Sequence, residues 1–174
     1  TFTTADIATL TGIHISANYN TMVISKNKIY NFEGTGAGSN CIGITFNGPG
    51  AGIIENNLVG DLRTPNAVSP NSINGIFLGG GTMVSLFYNT VWINGSSSSS
   101  LFGSSAVDIA YNSSIGPYDA TFRNNIFVNL STPKGTGVTV SHRRESIALA
   151  DYNSSSDNNL FYAGTPGPSN LIFY

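Results

Sequence analysis

The chain has 174 residues, enough for one domain with a substantial core. Only 9% of residues are charged and the net charge is -2, so no basic face exists to displace counterions, which excludes nucleic acid as a partner. Asn, Ser, Thr and 20 Gly supply the polarity instead. That mix suits a β-protein with many tight corners, because Gly and Asn tolerate the left-handed conformation.

Five copies of one pattern run along the chain, an Asn, any residue, an aliphatic, then usually an aromatic. They read Asn27-Lys28-Ile29-Tyr30, Asn56-Asn57-Leu58-Val59, Asn89-Thr90-Val91-Trp92, Asn124-Asn125-Ile126-Phe127 and Asn158-Asn159-Leu160-Phe161. Successive asparagines lie 29, 33, 35 and 34 residues apart. A self-similar period of this length marks a solenoid or propeller. The repeating segments are rich in β-branched and aromatic residues and lack a helical period.

Two further strands are expected ahead of each Asn motif. The first is Gly-flanked: 12–15, 42–44, 75–78, 106–109 and 137–140. The second is 22–24, 52–54, 83–87, 120–122 and 147–149. Three short strands in one order per repeat predict a right-handed parallel β-helix of about five rungs, a single domain over 1–174. A propeller blade needs four strands and a longer unit. Asn47-Gly48 and Asn94-Gly95 are hairpin signals, but a chain of hairpins has no reason to repeat its strand types in order. Long loops at 33–40, 63–72, 95–100 and 131–136 leave from one corner, and the serine run 96–100 is expected as an exposed bulge there.

Equivalent positions in a parallel stack form columns. Asn27, Asn56, Asn89, Asn124 and Asn158 are predicted to stack as corner staples, bonding one another and the backbone. Ile29, Leu58, Val91, Ile126 and Leu160 are predicted to face the core. Tyr30, Val59, Trp92, Phe127 and Phe161 alternate to the outer face. There they form either a platform for sugar rings or, the favoured expectation, a face covered by loops. Lys26 is expected opposite Glu55, and Arg123 opposite Asp157, as weak pairs.

Chemistry is sparse. Cys41 is the only cysteine and reads as a small buried hydrophobe. The nine acids share no column, and only Asp108 falls in the Gly-flanked strand. His14 sits outward, and His142 is expected in a solvated turn with Arg143 and Arg144. These two arginines, with Tyr30, Trp92, Phe127 and Phe161, are the candidate glycan contacts. No phosphate loop, nucleophile elbow or metal-ligand spacing is present, so no catalytic residue, cofactor or metal is expected. The apolar runs are too short to cross a membrane. The absence of an initiator Met suggests a piece of a longer protein, and neither terminal rung shows a cap. The expected partners are therefore neighbouring modules end to end, with polysaccharide as a second class.

Residues 84–174 carry a more specific signal. Phe87-Tyr88-Asn89-Thr90-Val91-Trp92-Ile93-Asn94-Gly95 with its serines, Phe122-Arg123-Asn124-Asn125-Ile126-Phe127-Val128-Asn129, Val140-Ser141-His142-Arg143-Arg144 and Asn158-Asn159-Leu160-Phe161-Tyr162 through Gly167 resemble β-helical segments of very large secreted Bacteroidota surface proteins. The resemblance implies type IX export, an extracellular or cell-surface location, and a stalk, adhesin or filament role. It supplies no catalytic residues. The leading expectation is a non-enzymatic structural module. The alternative is a polysaccharide-active enzyme or a glycan-binding β-helix.

Overall fold

Every strand pairing between turns is parallel and joins segments roughly thirty to forty residues apart, so the chain is a parallel β-solenoid of about five turns. The computed structural model describes residues 1–16, 20–110, 119–145 and 152–174. After β1 (Phe2–Thr4), the first turn runs through β2 (Thr9–Ile15), β3 (Thr21–Ser25), β4 (Lys28–Ile29) and β5 (Phe32–Gly34). The second contains β6 (Asn40–Phe46), β7 (Ala51–Glu55), β8 (Leu58–Gly60) and β9 (Leu62–Arg63). The third contains β10 (Ser69–Leu78), β11 (Val84–Phe87) and β12 (Thr90–Ile93). The fourth contains β13 (Phe102–Ile109), β14 (Ala120–Arg123) and β15 (Ile126–Asn129). The fifth contains β16 (Thr139–Arg144) and β17 (Leu160–Tyr162), and β18 (Asn170–Phe173) begins another layer. No helix occurs among the described residues.

Four sheets result, one more than expected. The three main ones hold six strands (β18-β16-β13-β10-β6-β2), four (β14-β11-β7-β3) and five (β17-β15-β12-β8-β4). The small fourth, β1-β5-β9, forms where loops were expected to begin. The loops of that corner are themselves tied turn to turn. Val68 N–H donates to the Ala37 carbonyl at 2.7 Å, Ser98 N–H to Pro65 at 2.7 Å and Thr132 N–H to Gly95 at 2.9 Å. The serine run is exposed at Ser96, Ser98 and Ser100 as expected, and it also joins this network. Ser97 is buried, and its hydroxyl donates to the Ala67 carbonyl at 2.9 Å.

The core lies inside the sheets, built of Ile44, Phe46, Ile54, Ile73, Leu86, Val107 and Phe122 among others. Gly43 and Gly75 are required by close approach. A Cβ on either would fall against the Val59 or Val91 side chain and the carbonyl of the following turn. Cys41 is buried as expected, its thiol donating to the Arg63 carbonyl at 3.2 Å, and burial raises its pKa.

The corner register differs from the sequence expectation by one residue in three turns. β12 pairs Thr90 with Leu58 and with Ile126, and β15 pairs Ile126 with Leu160. The ladder therefore runs through Asn27, Asn57, Asn89, Asn125 and Asn159, and Asn56, Asn124 and Asn158 lie outside it. The cause is the Asn-Asn dipeptide. Its first member takes the left-handed turn position, with φ of 53° at Asn56, 56° at Asn124 and 54° at Asn158, in line with Lys26 and Tyr88. Since a one-residue slip exchanges the two faces of a strand, the inward column becomes Ile29, Val59, Val91, Phe127 and half-buried Phe161. Leu58, Ile126 and Leu160 turn outward and are exposed.

Two other expectations change. Ser25, not Lys26, pairs with Glu55, whereas Arg123 does lie opposite Asp157. In the fifth turn the strand extends through His142, which pairs with Val107 on the inward side. The expected strand at 147–149 lies outside the described residues.

Candidate functional site

Three polar or aromatic constellations stand out from the aliphatic frame. The first is the Asn ladder. Each amide donates to the Oδ1 of the Asn one turn on, at 3.0 Å for Asn27 to Asn57, Asn57 to Asn89 and Asn89 to Asn125, and 2.9 Å for Asn125 to Asn159. The same Oδ1 accepts the backbone N–H of the preceding Asn. The second amide hydrogen of Asn57, Asn89, Asn125 and Asn159 goes to the carbonyls of Ile24, Ile54, Leu86 and Phe122. Both amide hydrogens and the carbonyl oxygen of each internal member are used, so the ladder satisfies itself and is structural.

The second constellation lies on the six-stranded sheet. Asp108 is 1% exposed, and its Oδ2 accepts from Asn71 Nδ2 at 2.7 Å. Asn71 Oδ1 accepts from Ser105 Oγ at 2.9 Å, and Arg143 Nε donates to Ser105 Oγ at 2.8 Å. The Arg143 guanidinium lies 4.5 Å from the centroid of the Tyr174 ring. Burial pushes the Asp108 carboxyl up to about 6, against the Asn71 hydrogen bond and the Arg143 charge, which favour ionisation. Asp108 Oδ1 and Arg143 Nη2 have no hydrogen-bond partner. This is a carboxyl held near protonation beside a cation, chemically able to give or take a proton. In this conformation it is sealed from any substrate.

His142, expected in a solvated turn, is instead fully buried. Its ring packs against Phe122, Tyr152, Phe161 and Phe173 at centroid distances of 5.3, 5.8, 5.6 and 5.2 Å. Neither ring nitrogen has a partner. Burial, aided by the Arg144 charge, lowers its pKa to about 3 and keeps it neutral. The sequence hides the inward strand phase that brings it here, because the Gly-flanked pattern aligns the fifth repeat on Gly137 rather than on Ser141.

The third constellation is the outer face of the five-stranded sheet. Tyr30 and Trp92 are 47% and 49% exposed, so loops do not cover them. Phe127 is buried, and Phe161 stacks on it from the next turn at 5.6 Å and 26°. Both leave the outer face, which gains Tyr162, 47% exposed. The sequence motif does not reveal Tyr162, which stands one residue past its end. Arg143 and Arg144 belong to a different sheet, so the six candidate glycan contacts do not converge. Among the described residues no group of three or more His, Cys, Asp and Glu side chains could hold a metal ion. Comparison with known proteins finds no matching family model, no matching curated protein and no matching solved structure.

Proposed function

We propose that this chain is a non-enzymatic structural module of an extracellular or cell-surface protein, a length of stalk, adhesin or filament extended by end-to-end stacking of β-helical turns. The observation that carries this reading is the state of the ladder at its two ends. Asn27 Oδ1 accepts no hydrogen bond among the described residues, and the Asn159 backbone N–H and one of its amide hydrogens find no acceptor there. These are the groups that meet at every internal step. A further turn of the same kind would continue the ladder at either end, with only the second Asn27 amide hydrogen moving from the Ser25 carbonyl to the added turn.

The apolar surface follows the same logic. Phe2, Ile7 and Val23 are exposed at the first turn, and Ile172 and Phe173 at the last. Edge strands β2 and β18 carry backbone groups that template another strand. The next turn comes either from the same polypeptide or from a second molecule. The extracellular setting rests on the resemblance of residues 84–174 to secreted surface proteins.

Sedimentation and electron microscopy of the purified chain test the proposal. End-to-end oligomers are expected, suppressed by Ile172→Pro, which removes a donor from the outer edge strand. A strictly monomeric species at high concentration, with both end turns protected in hydrogen exchange, would overturn it. The enzymatic alternative turns on Asp108, which is 1% exposed and whose carboxyl is pushed up to about 6 by burial. Release of uronic-acid products from pectin or alginate by the wild type, lost in Asp108→Asn, would establish that activity in place of a purely structural role.

A further inference from the structure

The register of the five-stranded sheet sorts its outer face into two columns. One is Lys28, Leu58, Thr90, Ile126 and Leu160. In the other, Trp92 pairs with Gly60 and Val128, and Val128 with Tyr162, and the same register sets Tyr30 beside Gly60. Aromatic rings thus occupy the first, third and fifth turns, and Gly60 and Val128 hold the turns between. Strands in a sheet lie about 4.8 Å apart, so rings two turns apart recur at roughly 9.5 Å along the axis. All three rings are about half exposed: Tyr30 47%, Trp92 49%, Tyr162 47%.

Charge narrows the partner. Across the two columns Lys28 is the only charged side chain, and its Nζ lies 4.6 Å from the centroid of the Tyr30 ring. A polyanion would find one cation, and a polycation no carboxylate. The complement of this face is an uncharged surface with a repeat of its own.

We propose that this face binds an extended, uncharged β-1,4-linked polysaccharide lying along the solenoid axis, with Tyr30, Trp92 and Tyr162 each meeting every second sugar. In such a chain successive sugars are turned over, so one ring face returns once per disaccharide, over a length close to two strand spacings. The C–H face of a pyranose is apolar and suits the electron-rich face of an aromatic ring, while the equatorial hydroxyls stay in water. Alternation is what distinguishes this partner. The neighbouring column exposes Leu58, Ile126 and Leu160, which any apolar partner would cover, so it is the two-turn spacing of the rings that points to a glycan repeat. The proposal rests on the register of this sheet and not on end-to-end stacking, so either can fail without the other.

Trp92 is the only tryptophan, so its fluorescence reports contact directly. The experiment titrates monomeric fractions of the purified chain with soluble hexasaccharides of β-1,4-linked glucose, xylose, mannose and N-acetylglucosamine. A maltohexaose, α-linked and curved, serves as the control. At least one β-1,4-linked hexamer is expected to shift the emission saturably, and maltohexaose to leave it unchanged. Affinity electrophoresis of the variants should show Tyr162→Ala weakening binding about tenfold, and Trp92→Ala at least as much. Trp92→Tyr should retain most of it. These positions are exposed, so circular dichroism should show all three variants folded. The proposal is overturned by three results: no response to any β-1,4-linked hexamer, an equal response to maltohexaose, or binding undiminished in folded Trp92→Ala. Partition of the wild type onto neutral phosphatidylcholine vesicles, lost in Trp92→Ala without any glycan response, would assign the face to lipid instead.

Discussion

The first three turns and the last two are built on the same columns but filled with different chemistry. One inward column of the six-stranded sheet reads Leu10, Cys41, Ile73, then Ser104 and Thr139, and another reads Ile13, Ile44, Ile76, Val107, then His142. Early turns are held by aliphatic burial, at about 25 cal/mol per Å². Late turns replace part of it with hydrogen bonds. Ser104 Oγ is bonded to Asn129 at 3.0 Å, Asn129 Nδ2 donates to the Val140 carbonyl at 2.9 Å, and Ser141 Oγ donates to the Phe127 carbonyl at 2.8 Å. The hydroxyls and the Asn129 amide find partners, but His142 does not. Polarity repeated down a column is structural. Polarity that interrupts a column without finding a partner is a cost that the rest of the turn must offset.

The sharpest way to break this comparison is acid. His142 has its folded pKa lowered to about 3 from 6.5. The unfolded chain therefore binds a proton below pH 6.5 that the folded chain refuses, and stability falls as pH drops from about 6.5 to 3. The full window corresponds to about 5 kcal/mol. Asp108 works in the opposite sense. Its folded pKa is raised from 3.8 to about 6, so the folded state takes up the proton first, and stability rises as pH falls from about 6 to 4. This gain is about 3 kcal/mol. In the wild type the two slopes nearly cancel between pH 4 and 6. Urea unfolding at several pH values should show His142→Leu gaining stability on acidification and Asp108→Asn losing it.

Next in size is the ladder. Asn57→Ala leaves the Asn27 backbone N–H, the Ile24 carbonyl and Asn89 Oδ1 short of partners in the protein. The expected loss is about 3 kcal/mol in urea unfolding. The neighbouring Asn56→Gly should change stability by less than about 0.5 kcal/mol, since its φ of 53° suits glycine at least as well. Equal losses at the two positions would contradict a ladder that runs through Asn57. A similarly small effect is expected at Arg63, whose Nε bonds Glu33 Oε2 at 2.8 Å between half-buried side chains. Arg63→Gln should cost about 0.5 kcal/mol, and less at high salt.

Turn count, strand order, parallel pairing and the aliphatic content of the core are all legible in the sequence, because each repeats and each has one dominant chemistry. The corner register is not. Asn serves two jobs at adjacent positions, the left-handed turn and the ladder, and in Asn56-Asn57, Asn124-Asn125 and Asn158-Asn159 nothing local says which is which. Only Asn27 and Asn89, preceded by Lys26 and Tyr88 at the turn, are unambiguous. His142 is hidden for a related reason. Its column is aliphatic everywhere else, so an imidazole beside two arginines reads as surface. The aromatic spacing on the five-stranded sheet emerges only from the true register, because the Asn motif puts Val59, Phe127 and Phe161 on the face where Gly60, Val128 and Tyr162 belong.

The ladder also gives the molecule a sense. In its Asn-to-Asn bonds every side-chain amide donates toward the C-terminal turn and every Oδ1 accepts from the N-terminal one, while the second amide hydrogen of Asn57, Asn89, Asn125 and Asn159 returns to a carbonyl of the preceding turn. Along these Asn-to-Asn bonds, two copies meeting by their first turns would bring Oδ1 against Oδ1, and two meeting by their last turns N–H against N–H. A two-fold pair through either tip is therefore disfavoured, and only translation of one unit onto the next keeps the amides matched. A fibre assembled this way is vectorial, with a base and a tip that are chemically unlike. Whatever grips its side must read it in one direction.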